Sequence, residues 1–180
     1  MNILVIKQTS LGDVLHATGH VRAIKRQYPH CHLTLLTADT SAGIFRHNPY
    51  VDEIIEFERY RVKRQWWRRP AWTLRHLAEV MAAVRARRYD LAIDLQGRWK
   101  SVLFLYGARA RRRFVKGNWP FVAGFRDREL HALVEMAKVL ELAGIDAGDA
   151  GMEIFTPPAA RERVAKLLKE ADLGGRDYRC

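Results

Sequence analysis

Asn2-Ile3-Leu4-Val5-Ile6-Lys7, followed by Gln8-Thr9-Ser10-Leu11-Gly12-Asp13 and Val14-Leu15-His16, is the stretch that decides how this chain is read. An apolar run of strand length ends at a lysine. Small and hydroxylated residues follow, and a carboxylate stands where a helix begins. Val14, Thr18, Val21, Ile24 and Tyr28 then recur at the helical period, and Pro29 ends the helix. A strand, a tight turn and a helix in this order open a parallel α/β sheet. The turn from Thr9 to Asp13 then lies just past the strand's carboxyl end, where doubly wound sheets bind ligands.

The same alternation continues outward. Residues 31–37 form a second β-rich run, and 38–48 are short and helical at best before Asn48-Pro49. Residues 51–57 read as a third strand. Residues 58–71 break the pattern, being too polar for core and too charged for a plain turn. A helix resumes near Trp72, with Leu74, Leu77, Met81 and Val84 on one face. Residues 89–95 are a fourth strand, Gln96-Gly97 its turn and 98–107 a short helix. A fifth strand covers 112–116, a loop rich in Gly, Pro and aromatics covers 117–126, and a long helix runs over 127–143 to Gly144. Residues 151–155 read as a sixth short strand. Pro157-Pro158 opens a last helix, with Val164, Leu167, Leu168 and Ala171 turned inward. The expected fold is α/β: one doubly wound, Rossmann-like parallel sheet covered on both faces.

The 180 residues give room for one sizeable domain, and 48% hydrophobic content supplies its core. Charges interrupt every apolar run, so no stretch reads as a transmembrane helix, and the apolar start is a poor signal peptide. A soluble, cytoplasmic chain is expected. Cys31 and Cys180 lie far apart without CxxC spacing, which predicts neither a disulfide framework nor a metal site. The net charge of +11 is concentrated: residues 59–116 hold 17 Lys/Arg against Glu79, Asp90 and Asp94. A localised excess of this kind speaks of anionic partners.

Three constellations carry chemistry. Asp13 fits a helix's first turn, where acids are favoured. It also fits a general base, because Gly12 beside it adds no side chain to hinder a substrate hydroxyl. Thr9, Ser10 and Gly12 share only composition with a phosphate turn. GxGxxG and GxxxxGK[ST] are both absent, and backbone N–H groups there suit an anionic group or sugar hydroxyls. The segment from Arg59 to Arg75 interleaves seven Arg/Lys with Tyr60, Trp66, Trp67 and Trp72. A solvated face, a single-stranded nucleic acid and an anionic membrane surface all fit it, and the lipid ranks above nucleic acid because no nucleic-acid motif accompanies it. Finally, Asp94-Leu95-Gln96-Gly97-Arg98-Trp99-Lys100-Ser101 is a second turn at a strand's carboxyl end. There a buried acid needs a partner or ligand, and Lys100 faces the Thr9–Asp13 side if strands one and four are neighbours.

The opening motif, the Asp94-Leu95-Gln96-Gly97 turn with Lys100-Ser101, and His131-Ala132 at the start of a long helix follow one another in an order that resembles the amino-terminal half of glycosyltransferase family 9, the bacterial lipopolysaccharide heptosyltransferases. The resemblance implies a GT-B enzyme of two Rossmann-like domains facing a cleft, peripheral on the inner face of the cytoplasmic membrane. It implies an inverting, metal-independent transfer of heptose from ADP-heptose to a lipid A acceptor bearing acidic Kdo sugars, with no cofactor and no nucleic-acid partner. Asp13 is the implied base. Thr9, Ser10, Gly12, Arg59, Arg61, Lys63, Arg64, Gln96, Gly97 and Lys100 are the implied acceptor-binding residues. Residues 1–157 would be the acceptor-binding domain and 158–180 a helix and the start of a linker to a donor-binding domain not contained in the 180 residues. On that reading the chain alone transfers no sugar. The alternative is a non-catalytic module that binds anionic membrane glycolipid, with a basic α/β nucleic-acid binder ranked below it.

Overall fold

The computed structural model describes residues 1–127, 129–148 and 151–170. Five strands form where expected: β1 (Asn2–Lys7), β2 (His32–Ala38), β3 (Glu53–Phe57), β4 (Arg88–Asp94) and β5 (Arg109–Lys116), the last beginning three residues early in an arginine-rich stretch. A short sixth, β6 (Ala123–Phe125), completes one sheet in the order β3-β2-β1-β4-β5-β6. Every pairing is parallel, with Lys7 beside Thr37 on one flank of β1 and Ile6 beside Asp94 on the other. The strand order turns back between β1 and β4, the crevice where open α/β sheets take ligands.

Because β1 and its neighbours are buried on both faces, they read as continuous apolar runs. Ile3, Val5, Leu33, Leu35 and Ile93 pack against α1 (Leu11–Leu15), α2 (Ala17–Gln27) and α6 (Ala132–Leu142). Leu4, Ile6, Leu36, Phe57 and Val115 pack against α3 (Arg59–Gln65), α4 (Pro70–Arg85) and α5 (Trp99–Gly107). Alternation along each strand thus divides the core into two layers, and the carboxyl ends of the strands form one rim between them.

Several elements differ from expectation. The helix expected over 13–28 is two helices meeting at His16. The Thr18 hydroxyl donates to the Leu15 carbonyl at 2.7 Å, and the His20 ring lies 2.9 Å from the His16 carbonyl. Side chains that engage backbone carbonyls in this way interrupt or bend a helix. Residues 58–71 are not irregular: α3 occupies half of them, and Pro70 starts α4 at its first turn, where a missing N–H costs nothing. On α4 the buried face is Thr73, Val80 and Val84, with Leu77 and Met81 packed against it, while Leu74 points to solvent.

The loop expected over 117–126 contains β6, and residues 151–155 form no strand. The Glu153 N–H is instead taken by the Thr18 hydroxyl, and its carboxylate pairs with Arg22 at 3.2 Å. The helix α7 (Pro158–Glu170) forms, but Val164, Leu167 and Leu168 are exposed rather than inward, since both faces of the sheet are already covered. Ala171 and Cys180 lie outside the described residues. Among the described residues no helix is long and apolar enough to cross a membrane.

Candidate functional site

Adjacent strands bring the two turns together. Leu95 donates its N–H to the Ile6 carbonyl at 3.0 Å, so the turn after β4 starts level with the turn after β1. Between them opens a cavity of about 480 Å³. Gln8 lines it from the β1 turn and Arg59 and Lys63 from α3. Gln96, Gly97 and Lys100 line it from the β4 turn and α5, with Trp119 closing one side. The wall is strongly cationic, and no carboxylate lines it.

The walls are held by the backbone. Arg59 donates from Nη1 to the Gln8 carbonyl at 3.0 Å, which pins α3 to the β1 turn. Ser41 donates to the Thr9 carbonyl at 3.2 Å. Gly97 sits at φ +65°, and a Cβ there would fall 1.6 Å from the Lys116 carbonyl oxygen. Only glycine satisfies both conditions. Ser101, buried, donates to the Arg98 carbonyl at 2.8 Å and accepts the Arg98 N–H at 3.1 Å, which caps α5.

Polar groups under the site are buried and in part unpartnered by protein atoms. Gln8 Nε2, the Thr9 hydroxyl, Gln96 Oε1 and Asp94 Oδ2 are all of this kind. Such groups are few in native proteins, and each calls for an explanation. The other Asp94 oxygen accepts the N–H groups of Gln96 and Gly97 at 2.8 and 3.1 Å. Burial pushes this carboxyl up to about 6, against the pull of Ser101, the two amides and the Lys7 charge. Lys7 is its cationic counterpart. Its ammonium donates to the Leu95 carbonyl at 3.3 Å, and burial, helped by the charge of Lys116, lowers it to about 8. Asp13, Asp94 and Glu135 oppose that shift. Lys116 is itself paired with Glu135 at 2.5 Å.

Asp13 lies in the first turn of α1 but is not its cap. Ser10 holds the cap position and makes no capping bond, and its hydroxyl donates instead to Asp13 Oδ2 at 3.0 Å. The Ser10 bond thus orients a half-buried carboxylate at the rim of the sheet. Space beside Gly12 is open, with nothing within 4 Å of where a Cβ would stand.

Of the residues expected to bind an acceptor, Arg59, Lys63, Gln96, Gly97 and Lys100 converge on the cavity. Thr9, Ser10 and Gly12 stay with Asp13 in the adjoining turn and do not line it. Neither do Arg61 and Arg64. Arg61 pairs with Glu58 at 2.9 Å and covers the Trp72 ring at 4.4 Å, because the turn of α3 points it toward α4. Gln8, Phe57, Arg98 and Trp119 line the cavity without having been singled out. Gln8 had a signal, since it stands between two residues of the opening motif. Trp119 had none beyond its place in an aromatic loop.

The chain is 22% identical over 172 residues to lipopolysaccharide heptosyltransferase 3 of Escherichia coli, a match covering 91% of this chain and 49% of that protein. It is 26% identical over 135 residues to lipopolysaccharide heptosyltransferase 1 of Salmonella typhimurium, covering 73% and 42%. In sequence the chain resembles the lipopolysaccharide heptosyltransferases. The solved glycosyltransferase family 9 structure from Veillonella parvula superposes on this chain with a TM-score of 0.78 at 21% identity, covering 98% of this chain and 50% of that one. An E. coli heptosyltransferase solved with ADP superposes at 0.71 and 19% identity, covering 85% and 51%. No protein-family model matches the chain. The expected likeness is therefore found in fold to a glycosyltransferase family 9 structure and in sequence to lipopolysaccharide heptosyltransferases. The chain spans about half the length of the curated relatives it matches, and its fold is one Rossmann-like unit of the GT-B arrangement.

Proposed function

We propose that this chain supplies the acceptor side of an inverting heptosyl transfer, in which heptose passes from ADP-heptose to an anionic glycolipid of the Kdo-lipid A type. One observation carries the reading: a carboxylate, Asp13, and a cavity walled by Arg59, Lys63 and Lys100 occupy the same rim, at the point where the strand order turns back. The cations would hold the acidic sugars and phosphates of the acceptor. Such charge-assisted contacts are about twice as strong as neutral ones. The backbone and amide groups of Gln8 and Gln96 would orient its hydroxyls.

With the acceptor hydroxyl at Asp13, the carboxylate takes its proton as the oxygen attacks the anomeric carbon from the face opposite the leaving ADP. A base so placed contributes about 10²–10⁴-fold. The relatives' names, the fold and the cationic cavity support this reading.

The test is binding of detergent-dispersed Kdo-lipid A against lipid A stripped of Kdo, at low and high salt. Binding that strengthens with Kdo and weakens in Lys63→Ala and Lys100→Ala is expected. Equal affinity for the two lipids would overturn the acceptor assignment. A non-catalytic glycolipid module would bind the same lipids but owe nothing to Asp13.

A further inference from the structure

A second cavity, of about 520 Å³, adjoins the cationic one. Its walls come from three helices: Trp66 and Trp67 at the end of α3, Leu77 and Met81 on α4, and Trp99 and Leu103 on α5. Its charged lining groups are Lys63 and Lys100, and these two, with Phe57 and Trp99, also line the cationic cavity. One continuous cleft therefore changes from cationic to apolar across a pair of ammonium groups.

The apolar part is not closed core. Trp66 is 44% exposed, Trp67 89%, Trp99 59% and Leu103 54%. A contiguous patch of large apolar side chains left in water marks an interaction site rather than chance exposure. The charge at its mouth selects the occupant. A second copy of this chain would bring the same excess of Arg and Lys against Lys63 and Lys100. A sugar ring needs donors and acceptors all around its edge, whereas beyond the indole N–H groups and the two ammonium groups these walls offer only carbon and sulfur and no acceptor side chain. An alkyl chain with an anionic headgroup satisfies both ends: its methylenes replace water against the tryptophans, and its headgroup meets the ammonium pair. The volume falls in the range of about 300–1,000 Å³ typical of pockets that enclose a small ligand.

We propose that the cleft between α3, α4 and α5 is the seat of one alkyl chain of an anionic amphiphile, with the headgroup held by Lys63 and Lys100. This deepens the acceptor reading, on which the choice of a lipid rests. It adds that the protein measures the lipid's chain as well as its headgroup, and that binding draws one chain out of the bilayer. Arg59 and Lys63, one turn apart on α3, would then face the headgroup from the cationic side.

The test uses ligands without sugar, so it succeeds or fails independently of heptosyl transfer. Butyl, octyl and dodecyl phosphate, each below its micelle concentration, are titrated onto the 180-residue chain together with dodecyltrimethylammonium and inorganic phosphate. Affinity is expected to rise with chain length, by up to about fourfold per buried methylene. The cationic amphiphile should bind more weakly than dodecyl phosphate, and an ω-bromododecyl phosphate should quench tryptophan fluorescence. Leu103→Asp should abolish the chain-length dependence, and Leu103→Trp, which fills the cleft without adding charge, should shorten the preferred chain. Lys63→Ala with Lys100→Ala should weaken all the phosphates while keeping the dependence on length. Equal affinity for butyl and dodecyl phosphate, or a chain-length dependence untouched by both Leu103 variants, would overturn the proposal.

Discussion

The Arg59 guanidinium donates to the Gln8 carbonyl at 3.0 Å, and through this bond the basic helix α3 is anchored to the turn that carries Asp13. Arg59 therefore shapes the cavity as well as charging it. Removing it should loosen α3, in which only Val62 is buried. We expect Arg59→Ala to lower stability in urea by about 1.5 kcal/mol, the lower end for a hydrogen bond from a charged group. Arg59→Lys should recover part of the anion binding but little of the stability, because an ammonium lacks the planar reach of the guanidinium. An unfolding midpoint unchanged in Arg59→Ala would show that the bond holds nothing.

Two glycines of the site should behave in opposite ways. At Gly97 a side chain meets a left-handed backbone and the Lys116 carbonyl together, so Gly97→Ala should cost more than about 2 kcal/mol and shift thermal unfolding downward. Gly12 has open space beside it, so Gly12→Ala should fold normally, with a change of at most about 1 kcal/mol and in the stabilising direction. A loss of acceptor binding in Gly12→Ala at full stability would place the ligand against this turn. Equal destabilisation by the two substitutions would contradict the geometry.

Asp94 should leave a signature in the pH dependence of stability. Its carboxyl titrates near 6 in the folded chain, above the ordinary value of 3.8. The folded state thus holds this proton more tightly than the unfolded state does. The stability it contributes is fully present below about pH 4 and is lost as pH rises through about 6. The rise from 3.8 to about 6 corresponds to about 3 kcal/mol. Asp94→Asn keeps the acceptor for the amides of Gln96 and Gly97 but has no proton to lose. Urea unfolding from about pH 4 to pH 7 should show the variant gaining on the parent protein by a few kcal/mol. A difference independent of pH would mean that Asp94 is not shifted.

Much of this architecture was legible because buried parallel strands carry continuous apolar runs. Ile3 to Ile6 and Leu91 to Ile93 needed no tertiary context to be recognised. The basic helix α3 was not legible: Val62 is its single buried residue, so no apolar period announces it, and its charges resemble a loop. The strand β6 was hidden because its three residues, Ala123–Phe125, sit among Gly and Pro, and only pairing with β5 makes them a strand. Residues 151–155 have strand composition, but Thr18 and Arg22 engage Glu153 from another helix. Within the site, the two turns could be matched once their strands were neighbours. Which arginines turn inward could not, because a shift of two residues on α3 sends Arg59 to Gln8 and Arg61 to Trp72.

The central claim is that Asp13, held by Ser10, deprotonates the acceptor hydroxyl. The most direct measurement is the rate of heptosyl transfer by Asp13→Asn, with a donor-binding half joined to this chain, alongside the affinity for Kdo-lipid A. The account predicts a fall of about 10²–10⁴-fold in kcat with acceptor affinity preserved. Transfer within twofold of the parent enzyme would contradict it.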